Sequence, residues 1–360
     1  MASASPIPGL ADSAGKVTDP RPSASVIVLS PTNEVLLLHR VQTSSAFASA
    51  HVFPGGNLDS QHDGSIPDVS SPSRHADGPA YRIAAVRECF EECGILLARP
   101  KSSSSSSPSQ EESLIRLAPE VRDQKRKEIH SHKTKFMDFM TSIDAEPDVS
   151  SLIPFTRWIT PMGVKKRFTT QMYLYLLPLT TAGAVEEEAI LPTPDGDGGV
   201  EHTAATFAPA GTWLSKARRG EIILMPPQAY LLHLVHTLFH GPFDGLPYSR
   251  PLTDMQEQRA RLLEWIDMTP TASGSSGKEG AMIPWKDKIM SPVMSFRRTY
   301  DKKVVLALDG VARELKERKG DPDRVVLVNF EKGDARQVEV RMRDQVVREE
   351  KEGDGEKSKI

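Results

Sequence analysis

The chain has 360 residues, 38% of them hydrophobic and 26% charged, and its mean hydropathy of −0.37 leaves a substantial part outside any core. A net charge of −3 with no basic, aromatic-studded stripe gives no footing for nucleic acid, and no apolar run reaches the roughly 18 residues a membrane span needs. The two cysteines, Cys89 and Cys93, sit in one short stretch, which excludes a disulfide framework and points to a reducing compartment.

Residues 1–21 are rich in Ser, Pro and Ala, lack a charged-then-apolar leader and are expected to be disordered. Residues 24–29 (Ala-Ser-Val-Ile-Val-Leu) read as a buried strand ended by Ser30-Pro31-Thr32-Asn33, with 34–40 as the return strand of a hairpin. A small-residue loop leads to the strand-like His51-Val52-Phe53 and a Pro54-Gly55-Gly56 turn. Residues 60–78 form a polar insertion, expected as a surface loop because added loop length costs little closure entropy. A helix is expected over 82–93, with Ala84, Ala85 and Phe90 as packing surface and Gly94 at its C′ position. The serine tract 101–110 has no means of forming a core. Within 112–140, Leu114, Leu117, Val121, Phe136, Phe139 and Met140 predict one or two amphipathic helices inserted between core elements.

Strands are expected at 151–160 and 167–177 around Pro161-Met162-Gly163, the second apolar on both faces as a central strand is. A Glu-, Pro- and Gly-rich loop (185–199) precedes a strand over 199–209 and a helix over 210–219, and Pro226-Pro227 opens an apolar helix. Past residue 241 the chain is turn-rich apart from a short helix near 255–266, and 303–308, 324–329 and 337–341 alternate like strands of a small sheet. Residues 343–360 read as a charged, flexible tail.

The chemistry is concentrated in Arg87-Glu88-Cys89-Phe90-Glu91-Glu92-Cys93-Gly94-Ile95. On a helix Glu88 lies three and four positions before Glu91 and Glu92, so the three carboxylates share a face. Like charges repel, and such a face makes sense with a cation among its members; oxygen-only ligation selects a hard ion such as Mg²⁺ or Mn²⁺. Arg87 is suited to orient a carboxylate through a bidentate pair. The plain alternative is a solvated acidic face with one intrahelical Arg–Glu pair. Cys89 and Cys93, one turn apart without His or Cys companions, read as core thiols rather than a metal pair. No Gly-rich nucleotide loop, zinc spacing or Gly-x-Ser-x-Gly elbow is present.

Arg87, Glu88, Glu91, Glu92, Gly94 and Ile95 stand as in the Nudix box, and the segment resembles the catalytic helix of that family, with Cys89 where an aliphatic residue is usual. The front half departs from the pattern: the insertion 60–78 separates Gly55-Gly56 from the helix, and the glutamate expected six residues after Gly56 is His62. The resemblance implies an α/β fold, a Nudix α/β/α sandwich with a mixed sheet over 23–240, long insertions (60–78 and 99–148) and a C-terminal extension (241–342) packed on the core. It also implies hydrolysis of a diphosphate linkage, with Mg²⁺ or Mn²⁺ held by Glu88, Glu91 and Glu92. One carboxylate takes a proton from water, Glu88 being the first choice among the three, and Arg87 stands beside it as a catalytic candidate. Family members carry a further glutamate about six residues before an aromatic; Glu201 before Phe207 is either that auxiliary ligand or a loop-edge glutamate.

Leu37, Arg40, residues 53–56 and Pro226-Pro227-Gln228 partly resemble the coenzyme A-directed group, peroxisomal acyl-coenzyme A diphosphatases included, which makes Arg40, Gly55 and Gly56 substrate-binding candidates. The favoured substrate is therefore coenzyme A or acyl-coenzyme A, giving 3′,5′-ADP and (acyl-)4′-phosphopantetheine. NADH, ADP-ribose or another nucleotide is the alternative, and a non-catalytic Nudix binding scaffold the second; the three intact glutamates argue for activity. The ending Ser358-Lys359-Ile360 is a variant of the Ser-Lys-Leu address, so the expected partners are a nucleotide-diphosphate substrate and a peroxisomal import receptor, and the expected location is the peroxisome, with the cytoplasm as alternative.

Overall fold

The computed structural model describes residues 18–40, 49–101, 114–162, 164, 166–179, 202–240, 252–271, 280–310, 314, 320–331 and 334–357. The expectations for residues 1–17, the serine tract beyond Lys101, the loop 185–199, Glu201 and Ser358-Lys359-Ile360 fall outside them.

The apolar runs of the first half assemble a mixed sheet. Strands β1 (Arg21–Leu29), β2 (Val35–Arg40), β3 (Ala50–Val52) and β4 (Gly55–Asn57) come first. Helix α1 (Pro79–Cys93) follows, and β5 (Ala98–Pro100) pairs with β6 (Ala145–Pro147) across α2 (Pro119–His130) and α3 (Phe136–Ser142). The sheet is completed by β7 (Ile153–Ile159), β8 (Phe168–Leu176), β9 (His202–Ala208), β10 (Ile223–Leu224) and β11 (Ile289–Met290). Its nine strands run β10-β3-β2-β1-β8-β7-β11, with β4 added to β1 and β9 to β2. The central pair β1–β8 is parallel over its whole length, and β1–β2 and β7–β8 are antiparallel.

Alternate side chains of the central strands feed two layers, as a sheet covered on both faces requires. Val26, Val28, Leu36, Leu38, Tyr173 and Tyr175 pack with α1, α2 and α3. Ile27, Leu29, Val35, Leu37, Met172 and Leu174 pack with α4 (Ala210–Arg218), α5 (Pro226–His240) and α6 (Leu252–Asp267). The result is the α/β/α sandwich expected.

A second, antiparallel sheet runs β12 (Val293–Arg297), β13 (Val304–Ala307), β14 (Arg324–Glu331) and β15 (Asp334–Met342). One face, with Val304, Leu306, Val326 and Val338, merges into the same layer as α4 to α6. The other face corrects the expectation of a flexible tail. Residues Arg343–Lys357 form helix α7, whose Val346 packs on Val305, Val325 and Leu327. Arg341 donates to Glu349 at 2.5 Å and Arg343 to Asp309 at 2.5 Å, fixing its start. Because α7 covers that face, all of β13 is buried instead of alternating with solvent.

Two further expectations change. Helix α1 begins at Pro79, three residues before the apolar periodicity does, because proline suits the first helical turn. The insertion 60–78 is anchored rather than loose. Arg157 Nη2 donates to Ala76 O at 2.7 Å, Tyr81 Oη to Arg74 O at 2.5 Å and Tyr173 Oη to Asp77 at 2.5 Å, while His62 and Asp63 are buried.

Candidate active site

Helix α1 lies under β1 and β4 with Ala84, Ala85 and Phe90 fully buried. It stops at Gly94, whose φ of 77° is the left-handed conformation glycine adopts without strain, and whose N–H reaches Phe90 O at 2.9 Å. Its last free carbonyls are capped from the inserted helix α2: Arg126 donates to Glu91 O and to Glu92 O, each at 3.0 Å. The acidic face is thus fixed by a residue outside the motif.

Strand β4 is where Gly55 and Gly56 meet this face. The sequence predicts a turn here; the pair instead lies in a strand, Gly56 opposite Ala24 and Gly55 opposite Ser25. Gly55 N–H donates to Glu92 Oε2 at 2.7 Å, and Arg40 Nη1 stands 4.0 Å from Glu92 Oε1. A Cβ on Gly56 would lie 2.6 Å from both carboxylate oxygens of Glu88, so glycine is what lets Glu88 lie against the backbone.

Arg87 organises the rest. Its Nε and Nη2 grip Asp63 Oδ1 and Oδ2, each at 2.8 Å, its Nη1 donates to Glu88 Oε1 at 2.7 Å and Glu91 Oε1 at 2.9 Å, and Nη2 also reaches Asn57 O at 3.0 Å. Every N–H of the guanidinium is spent on the protein. Arg87, a catalytic candidate from the sequence, thus holds Asp63, Glu88 and Glu91 together. Asp63 was missed there: it stands one place beyond His62, where the family glutamate was sought, and the bend of the inserted segment turns the acid back toward the helix. The clue was an acidic residue adjacent to the expected position.

The charges are unevenly compensated. Burial raises the proton affinity of Glu88, only partly offset by Arg87 and reinforced by Glu91, and its carboxyl titrates near 7. Burial also pushes Glu91 upward, but His130, 3.4 Å away, and Arg87 outweigh it and hold Glu91 below the usual carboxylate range. Among the described residues Asp59, His62 and His132 bring three donor atoms within 4.8 Å of one another; the glutamates do not form so tight a group. The glutamate face nonetheless fits a hard cation: its donors are all oxygen, Glu88 Oε2 accepts no hydrogen bond from the described residues, and the Glu88 anion is under-neutralised. Glu88, Glu91 and Glu92 are the residues that would hold such an ion.

A mixed sheet between two helical layers, with a Gly-Gly strand laid on an Arg-Glu/Glu-Glu helix, is the arrangement of a Nudix-type hydrolase, and the chain is similar to the coenzyme A diphosphatase group of that family. Residues 68–234 match the family model of the NUDT19 Nudix domain. The acyl-coenzyme A diphosphatase NUDT19 of Homo sapiens is 28% identical over 232 residues, 54% of this chain and 58% of that protein. The putative nudix hydrolase 7 of Caenorhabditis elegans is 29% identical over 220 residues, 61% of each. The chain thus spans about half to three fifths of the length of the curated relatives it matches. A solved NUDIX hydrolase from Alicyclobacillus acidocaldarius superposes with a TM-score of 0.47 at 23% identity, covering 60% of this chain and 90% of the other. No helix among the described residues is long and apolar enough to cross a membrane.

Proposed function

We propose that the chain is a divalent-metal-dependent diphosphatase whose favoured substrate is coenzyme A or an acyl-coenzyme A, cleaved to 3′,5′-ADP and (acyl-)4′-phosphopantetheine. The observation that carries the proposal is the Glu88 carboxylate lying against Gly56, bridged to Glu91 through Arg87, with no described residue donating to its Oε2. The substrate class is supported by the similarity to the acyl-coenzyme A diphosphatases NUDT19.

A Mg²⁺ or Mn²⁺ ion held by Glu88, Glu91 and Glu92 would neutralise diphosphate charge and acidify an attacking water. The chain's own groups do the remainder. A carboxylate of this face, Glu88 as first choice, takes the proton. Arg87 holds Glu88 and Glu91 at fixed spacing, so no reorientation is needed during reaction. Gly55 and Gly56 let β4 lie close against β1 and the Glu88 carboxylate, and Arg40, 4.0 Å from Glu92, offers a cation beside that face. Glu201 is proposed as an auxiliary ligand on its sequence position alone. Peroxisomal import through a receptor is carried with this reading, on the ground that acyl-coenzyme A is handled there.

The test is a panel of diphosphates (coenzyme A, acyl-coenzyme A, NADH, ADP-ribose) with and without Mg²⁺ or Mn²⁺, products identified by mass. Release of 3′,5′-ADP that stops on chelation is expected. Cleavage indifferent to chelator, or no cleavage of any member, would overturn the proposal.

A further inference from the structure

Asp59, His62 and His132 have the composition of a metal site, and their hydrogen bonds decide against one. Phe136 N–H donates to His62 Nδ1 at 3.1 Å. A neutral ring accepting at Nδ1 carries its proton on Nε2. That Nε2 stands 3.1 Å from His132 Nδ1 and donates to it, leaving no lone pair for a metal. Ligation through Nε2 would place a proton on Nδ1, facing the Phe136 N–H.

What these bonds do is mechanical. His62 belongs to the segment inserted after β4, and Phe136 and His132 belong to the second insertion, at α3 and just past α2. His62 is 3% exposed and Asp63 1%. Asp59 completes the local knot: its carbonyl accepts from His62 N at 3.1 Å and Asp63 N at 2.7 Å, its own N–H donates to Asp63 Oδ2 at 2.7 Å, and its Oδ2 lies 3.7 Å from His132 Nδ1. His132 is held at φ 58°, a left-handed conformation uncommon outside glycine, which the surroundings must enforce.

We propose that His62 is a positioning residue: by clasping the Phe136 amide and His132 it ties the two insertions together and holds Asp63 where it grips Arg87, which in turn aims Glu88 and Glu91. The clasp deepens the diphosphatase reading and rests on it for the kinetic part of its test.

The full chain is used throughout. Imidazole ¹⁵N shifts of the wild-type protein should report His62 as the Nε2–H tautomer. His62→Ala leaves the buried Phe136 N–H without an acceptor, His62→Asn restores an oxygen where Nδ1 stood, and His132→Ala removes the second bond together with the Asp59 contact but keeps the bond to Phe136. We expect kcat to fall about tenfold in His62→Ala with KM within about twofold, and Asn to recover most of the loss. Mn²⁺ affinity, measured by titration without substrate, should weaken in step with kcat. An unchanged kcat and Mn²⁺ affinity in His62→Ala, an Asn variant no better than Ala, or an Nδ1–H tautomer would overturn the clasp. So would tight Zn²⁺ binding abolished by both His62→Ala and His132→Ala, which would make the cluster a metal site. Should His62→Ala fail to fold, Asn and His132→Ala carry the comparison. If the wild-type protein cleaves no diphosphate, the functional reading fails alone, and the tautomer and Mn²⁺ titrations still judge the clasp.

Discussion

Replacing Gly56 with alanine would put a methyl group 2.6 Å from the carboxyl carbon and both oxygens of Glu88, where ordinary contact begins at 3.4 Å. The carboxylate must then withdraw by about 0.8 Å, which breaks its 2.7 Å bond to Arg87 and shifts the oxygen left open for a ligand. Misplacing a reacting group by about 1 Å costs on the order of 10²-fold in rate. The fold should tolerate the change within about 1 kcal/mol, because the obstructing atoms are the end of a side chain that can swing. Gly55→Ala is the contrast. Its methyl would meet Ala24 O at 2.4 Å and Ser25 Cα at 2.6 Å, backbone atoms of β1 that can yield only if the strands part. Overpacking of that kind costs roughly 1–3 kcal/mol or more, about 2–4 °C of melting temperature per kcal/mol in a domain of this size. Steady-state hydrolysis of acyl-coenzyme A at saturating Mg²⁺, paired with calorimetric melting, separates the two. Turnover of Gly56→Ala within about threefold of the wild-type protein would refute the close approach of Glu88 as the reason for glycine there.

Other outcomes follow from the same geometry. Glu91→Gln and Glu92→Gln should each lower the rate by at least about 10²-fold with the circular dichroism unchanged; near-normal turnover in both would move the active site elsewhere. Arg87→Met leaves the fully buried Asp63 carboxylate without its cation and should cost about 3–5 kcal/mol in urea denaturation, part of it recovered by adding Asp63→Asn; a loss under about 1 kcal/mol would contradict the pairing. His51 and His233 titrate near 4 in the folded chain, held down first by burial and then by His39 and Arg324 respectively. Between about 6.5 and 4 the unfolded chain binds protons that these two rings refuse, so stability is full above that window and falls as pH drops through it. The loss should reach roughly 3 kcal/mol for the more deeply buried His233 and less for His51, read from urea midpoints at several pH values. A midpoint indifferent to acid over that range, or unaltered by His233→Gln, would show the rings to be free to protonate.

Most of the fold was legible because its strands are short apolar runs bounded by turn residues. Residues 24–29 and 34–40 became β1 and β2, and the doubly apolar 167–177 became the central β8. The acidic face was legible because i, i+3, i+4 spacing needs nothing beyond the helix itself. What escaped lay in long-range pairing. Asp63 belongs to the site only because the insertion bends back; Arg126 and His130 reach Glu91 from a helix more than thirty residues away, with nothing local to announce it. Helix α7 was misread because its composition is that of a solvated tail, and Val346 alone among its described residues enters an apolar cluster. Gly55-Gly56 read as a turn because strand status depends on β1 lying alongside.

The parallel pairing of β1 with β8 also sets a schedule for folding. Ser23 meets Thr170 across 147 positions, and every rung of that ladder spans a similar distance. A chain emerging from the ribosome exposes the apolar Arg21–Leu29 strand long before Phe168–Leu176 exists to cover its flank. The hairpin with β2 and the packing of α1 give the early segment partners made soon after it, so both are expected to shield it in the interval. Non-local parallel pairing is slow to form. The glutamates of α1 are therefore translated early, and their partners come from two stretches of chain, Asp63 and the Gly-Gly strand before the helix and Arg126 and His130 after it, all ahead of Phe168–Leu176.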